Sequence, residues 1–146
     1  MSLHQLIYLS RSVRPMTEAD LDAITRGSAI NNPREELTGI LLYVGGNFLQ
    51  LLEGPSKNVS RRFETISKDD RHRDCKIIHF APTQYRLFPE WSMRVVNLAQ
   101  WSPAAKSEFV EIIRDAESPR TASLSRIYTF LESFQSRAAA PAPTGR

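Results

Sequence analysis

The 146-residue chain is long enough for one domain with a buried core. It is 41% hydrophobic and 24% charged, the balance of a globular protein, and a net charge of +3 is too mild to argue for nucleic acid by itself. Cys75 is the only cysteine, which excludes an internal disulfide and fits a reducing, cytoplasmic setting. No apolar run approaches the ~20 residues that span a bilayer. The start Met1-Ser2-Leu3-His4-Gln5 has no signal-peptide pattern, so the sequon Asn58-Val59-Ser60 carries little weight.

Residues 6–10 read as a strand, with Leu6, Tyr8 and Ser10 on one face and Ile7 and Leu9 on the other. Thr17 is the expected N-cap of a helix, with Asp20 three residues on. That helix runs to about Ala29, with Leu21, Ile24, Thr25 and Ser28 at helical spacing. Asn31-Asn32-Pro33 is expected to end it, because the residue before a proline avoids helical geometry. Residues 37–44 read as a strand, Gly45-Gly46 as a two-residue hairpin turn and residues 47–53 as the antiparallel partner.

A second helix is expected over 56–68, with Val59, Phe63 and Ile66 as its apolar stripe, and strands over 75–81 and 91–97. The order β-α-β-β-α-β-β predicts an α+β, ferredoxin-like sheet with both helices on one face. Ser102-Pro103 opens a third helix bearing Phe109, Ile112 and Ile113, and Ser118-Pro119 breaks it. A fourth, over 122–136, carries Leu124, Ile127, Tyr128, Leu131 and Phe134. The apolar positions of these two helices suit either the open face of the sheet or another subunit. Residues 1–100 are therefore expected to form the principal domain, 101–137 a helical extension and 138–146, rich in Ala and Pro, a disordered tail.

Gln50 stands out because it interrupts the apolar run Phe48-Leu49-Gln50-Leu51-Leu52. A buried amide left without a partner costs roughly 1–3 kcal/mol. Alternation places Gln50 in one layer with Tyr8 of the first strand and with Trp91, Met93 and Val95 of the fifth. Helical spacing adds Ile24 and Ser28, with Asn31 and Asn32 at that helix's end, and Ile66 followed by Asp69. Primary amides both donate and accept, so this set suits the edge of a heteroaromatic ring that alternates C=O and N–H. Ile24 and Ile66 are placed to clamp such a ring, and Asp69, Arg71 and His72 lie where a polar tail would leave.

Conventional catalytic patterns are missing: there is no Ser-His-Asp spacing, GxSxG, P-loop or GxGxxG. Cys75 and His79 share a strand face by simple alternation, but with His72 they lack a familiar ligand spacing, and no metal site is expected. Arg61-Arg62 and Arg73 read as solvated helix-end charges.

Taken singly, Tyr8, Gln50, the Asn pair, Trp91 and Met93 are each ordinary core or helix-end residues. Together with Leu37-Thr38-Gly39-Ile40-Leu41-Leu42-Tyr43, Glu53-Gly54-Pro55, Asp69-Asp70-Arg71-His72 and Phe88-Pro89-Glu90-Trp91-Ser92-Met93, their order and spacing resemble the BLUF family of blue-light sensors that use FAD. The similarity covers roughly residues 3–97. It implies an FAD whose flavin lies between the two helices. Asn32 with Asn31 would bond its pyrimidine edge, Ile24 and Ile66 would pack its faces, and Ser28, Leu41 and Phe48 would line the pocket. Asp69 would meet the ribityl chain, flanked by Arg71 and His72.

The resemblance also implies a photocycle without substrate turnover. Tyr8 gives an electron and then a proton by way of Gln50, the charges recombine, and the Gln50 amide is left rotated or tautomerised. Trp91 and Met93 would carry the change into the fifth strand. Such a short sensor is expected to form a homo-oligomer and to signal to a protein partner in trans, with no membrane and no nucleic acid involved. Thr65, where some relatives have a basic residue, and Asp70, where relatives often have proline, depart from the family pattern.

Two other readings fit part of this pattern. The order β-α-β-β-α-β is also that of the RNA-recognition motif, but Asn47-Phe48-Leu49-Gln50-Leu51-Leu52 is too aliphatic for its aromatic third strand. A flavin-dependent redox enzyme would need a nicotinamide site or a cysteine pair, and the sequence offers neither.

Overall fold

The computed structural model describes residues 2–90, 92–116 and 124–136. The elements are β1 (Leu3–Ser12), α1 (Glu18–Arg34), β2 (Thr38–Val44), β3 (Asn47–Pro55), α2 (Ser56–Ser67), β4 (His72–Pro82), β5 (Arg94–Asn97), a 3₁₀ turn (Leu98–Gln100), α3 (Pro103–Ala116) and α4 (Leu124–Ser136). They form the expected α+β fold. The sheet order is β4-β1-β3-β2-β5, antiparallel except where β5 runs parallel to β2.

Local chemistry accounts for the element ends. Thr17 and Asp20 make a reciprocal capping box at the start of α1. Gly45 and Gly46 join β2 to β3 with φ of 58° and 80°, both positive as a type I′ turn requires.

Strand alternation builds two separate cores. Leu6, Tyr8, Leu41, Phe48, Leu52 and Met93 pack with Leu21 of α1 and Val59 of α2, joined by the half-buried Ile24, Phe63 and Ile66. Ile7, Ile40, Leu42, Leu49 and Leu51 point the other way, against Phe109 and Ile112 of α3 and Ile127, Phe130, Leu131 and Phe134 of α4. The second helical pair thus covers the sheet face opposite α1 and α2. That is the face an RNA-recognition motif leaves open, so the RNA-binding alternative loses its surface. Among the described residues no helix is long and apolar enough to cross a membrane.

Three local expectations need correction. The first helix does not stop at Asn31-Asn32-Pro33 but continues to Arg34, with Pro33 in its last turn. There the missing N–H forfeits a single bond. The stop comes one turn later, where the Asn32 carbonyl accepts from the N–H groups of Glu35 and Leu37 and Glu36 takes φ 59°. The fifth strand begins at Arg94, so Met93 precedes it, although Met93 and Val95 still pack into the same layer. Trp91, expected to start that strand, lies outside the described residues, as do Ser118-Pro119 and the tail at 138–146.

Finally, β1 and β4 pair with two register shifts, between Ile7 and Tyr8 and between Leu9 and Arg11. Cys75 therefore packs with the Tyr8 layer, while His79 meets the Tyr128 ring of α4 edge-on, with centroids 5.8 Å apart. The two do not share a face.

Candidate functional site

Between α1 and α2 the helix-side layer opens into a slot of about 180 Å³. Tyr8, Ile24, Ser28, Asn31, Asn32, Leu41, Phe48, Gln50, Ile66, Asp69, Arg71 and His72 all line it. The residues expected along a ring and along its polar tail thus line one slot. Thr65, at the position where some relatives have a basic residue, lines it too, and so do Ala23, Gly27, Leu52 and Arg62, which were not anticipated. Gly27 lies three residues after Ile24 and Arg62 four before Ile66, so helical spacing held the signal. Arg62 is not a solvated charge: its guanidinium bonds Glu35 Oε1 at 2.8 and 3.0 Å and clasps the C-terminal end of α1 to α2.

The slot floor is a hydrogen-bonded chain. Tyr8 Oη donates to Gln50 Oε1 at 2.5 Å, and Gln50 Nε2 reaches Met93 Sδ at 3.3 Å. Tyr8 and Gln50 are 2% and 5% exposed. Burial pushes the Tyr8 phenol well above the usual tyrosine range, reinforced by Cys75 and Asp69. Tyr8 is therefore a neutral phenol that keeps its proton for donation. Its ring lies 5.2 Å from Phe63.

At the slot's polar end, Asp69 accepts from Arg71 Nε at 3.0 Å, from Nη2 at 2.5 Å and from its backbone N–H at 2.9 Å. These bonds, the side-chain ones first, hold the Asp69 carboxyl below its ordinary range. The His72 ring nitrogens meet Ser10 Oγ at 2.8 Å and the Ile66 carbonyl at 2.6 Å, so His72 lines the slot with both polar atoms engaged. Asn32 is buried and donates to the Ser92 carbonyl at 2.7 Å, tying α1 to the stretch before β5.

This chemistry fits a flat heteroaromatic ring. Gln50 directs a strong amide donor at a thioether, a weak acceptor, right at the slot floor. The Asn31 and Asn32 amides stand at the edge, and Ile24 and Ile66 come from opposite helices.

Comparison with known proteins agrees. The family model for BLUF, "Sensors of blue-light using FAD", matches residues 3–94. The beta subunit of photoactivated adenylate cyclase from Euglena gracilis is 42% identical over 93 residues, which is 63% of this chain and 11% of that one. The chain thus spans only a small part of this curated relative. The dark-state structure of BlrB, a BLUF protein, superposes with a TM-score of 0.75 at 31% identity, covering 91% of this chain and 97% of that one. A bacterial light-regulated adenylyl cyclase aligns with a TM-score of 0.75 at 27% identity, over 90% of this chain and 39% of that one. The chain belongs to the BLUF family, the sensors of blue light that use FAD.

Proposed function

We propose that this chain binds FAD with its ring in the slot between α1 and α2, and that Tyr8 and Gln50 turn light absorption into a lasting change of hydrogen bonding. When bound, the flavin supplies blue-light absorption and, once excited, an oxidant able to take an electron from a phenol. The side chains do the rest. Asn31 and Asn32 hold the pyrimidine edge, Ile24 and Ile66 pack the ring faces, and Ser28, Leu41 and Phe48 close the lining. Asp69 and Arg71 meet the ribityl side beside His72, and Arg62 adds a cationic group where Thr65 has none.

Tyr8 loses an electron, which makes its phenol a strong acid, and its proton passes to Gln50 Oε1. Electron and proton then return to Tyr8, so no substrate is consumed. The Gln50 amide is left rotated or as its tautomer, with donor and acceptor exchanged toward Tyr8, Met93 and the slot. One observation carries this reading: the buried Tyr8–Gln50 hydrogen bond at the floor of an amide-edged slot. The signal passes to a protein partner in trans or through self-assembly of this chain in the cytoplasm, with residues 1–100 as sensor and 101–137 as its extension.

The test is direct. Purified protein supplied with FAD should be yellow, shift slightly to the red under blue light and relax in the dark. Extraction of the bound flavin should return FAD in preference to FMN or riboflavin. A folded, colourless protein that takes up no flavin would sink the proposal.

A further inference from the structure

Glu53 is fully buried yet lies outside the slot. On the β1–β3 ladder Tyr8 stands opposite Gln50 and, three positions away, Gln5 stands opposite Glu53. Three positions along a strand change the face. The first pair therefore bonds in the slot layer and the second in the layer under α4.

There Gln5 Nε2 donates to Glu53 Oε2 at 2.8 Å, and Gln5 Oε1 accepts from Tyr128 Oη of α4 at 2.5 Å. A carboxylate can only accept, which fixes the Gln5 amide with nitrogen toward Glu53 and oxygen toward Tyr128. The same carboxylate takes the backbone N–H of Leu87 at 2.6 Å and of Phe88 at 2.9 Å. Gln135 of α4 donates to the Leu87 carbonyl at 2.6 Å, and Arg86 donates to the Glu53 carbonyl at 3.0 Å. This stretch leads on to Met93, which meets Gln50. An apolar side chain there would leave the Leu87 and Phe88 N–H groups and the Gln5 amide without their acceptor, so Glu53 ties β3 at once to β1 and to the stretch at 87–88.

We propose that Glu53 is a positioning residue that, through Gln5 and Tyr128, couples the Tyr8–Gln50 pair to α4 and makes α4 the element that reports the light state. The coupling is reciprocal: displacement of β1 against β3 at the first pair alters the second, and α4 docking biases the first. The proposal rests on the reading of Tyr8 and Gln50 as the switch.

The experiment is hydrogen–deuterium exchange of the full chain with FAD, in dark and in light, alongside absorption spectra. In the wild type α4 should exchange differently in the two states. Tyr128→Phe removes one hydroxyl outside the slot. It should keep the spectral shift and lose the light-dependent difference in α4. Glu53→Gln should keep the flavin and change the dark-recovery rate about threefold or more, the scale of one hydrogen bond. A wild-type light response of α4 in Tyr128→Phe would overturn the coupling, and so would a wild-type α4 indifferent to light while the spectrum shifts normally. If Glu53→Gln does not fold, Tyr128→Phe decides alone. Loss of the spectral shift in the wild type would instead count against the switch itself.

Discussion

Gln50 is held at both ends of its amide by partners of unequal strength, a phenol on one side and a thioether on the other. That inequality makes the side chain a switch candidate, because reorienting it forfeits little at Met93. Tyr8→Phe removes the phenolic hydroxyl alone, so the variant should bind flavin and show no red shift in a light-minus-dark spectrum. It should also lose roughly 1–3 kcal/mol in a denaturant melt, because Gln50 Oε1 is left buried without its donor. Gln50→Leu keeps the volume and removes both polar atoms, so it should give a coloured protein that light does not shift. A normal photocycle there would take Gln50 out of the mechanism. Both residues were legible in the sequence, since strand alternation alone sends Tyr8 and Gln50 to one face. Arg62 was not: a charged pair on a helix reads as solvated, and only the tertiary placement of Glu35 turns Arg62 inward.

At the scale of elements, the slot depends on how closely β2 approaches β3. Gly39 takes φ 154°, and a Cβ there would stand 1.9 Å from the Leu51 carbonyl oxygen. No rotamer can relieve a clash with backbone. Gly39→Ala should cost about 2 kcal/mol or more, read as a lower urea midpoint at unchanged slope. The pattern of strands and helices was legible because cap, turn and proline residues bound apolar segments of strand or helix length, and α2, α3 and α4 carry an apolar stripe at helical spacing. The end of α1 was misplaced because a proline disfavours a helix without forbidding it: Pro33 forfeits one N–H bond, and the turn closes beyond it on the Asn32 carbonyl. The faces of Cys75 and His79 were misjudged because the bulges between β1 and β4 depend on the partner strand, which no local pattern encodes.

At the scale of the whole molecule, one sheet separates two cores with different tasks. The α3–α4 side is rich in aromatic rings, with Phe130 and Phe134 in edge contact, and Phe109 is fully buried there. Phe109→Ala should therefore cost about 3–5 kcal/mol in stability. The remaining folded fraction should still shift normally under blue light, because Phe109 lies on the far side from the slot. Covering both faces also restricts motion. Sliding β1 past β3 by one residue would carry Tyr8 beneath α4 and thrust Ile7 or Leu9 into the slot, since a one-residue slip inverts every side chain. The strands are thereby pinned like rails, and the record of a photon is written at constant register, in side-chain torsions and in shifts smaller than one residue. Erasing it in the dark then needs no part of the sheet to come apart.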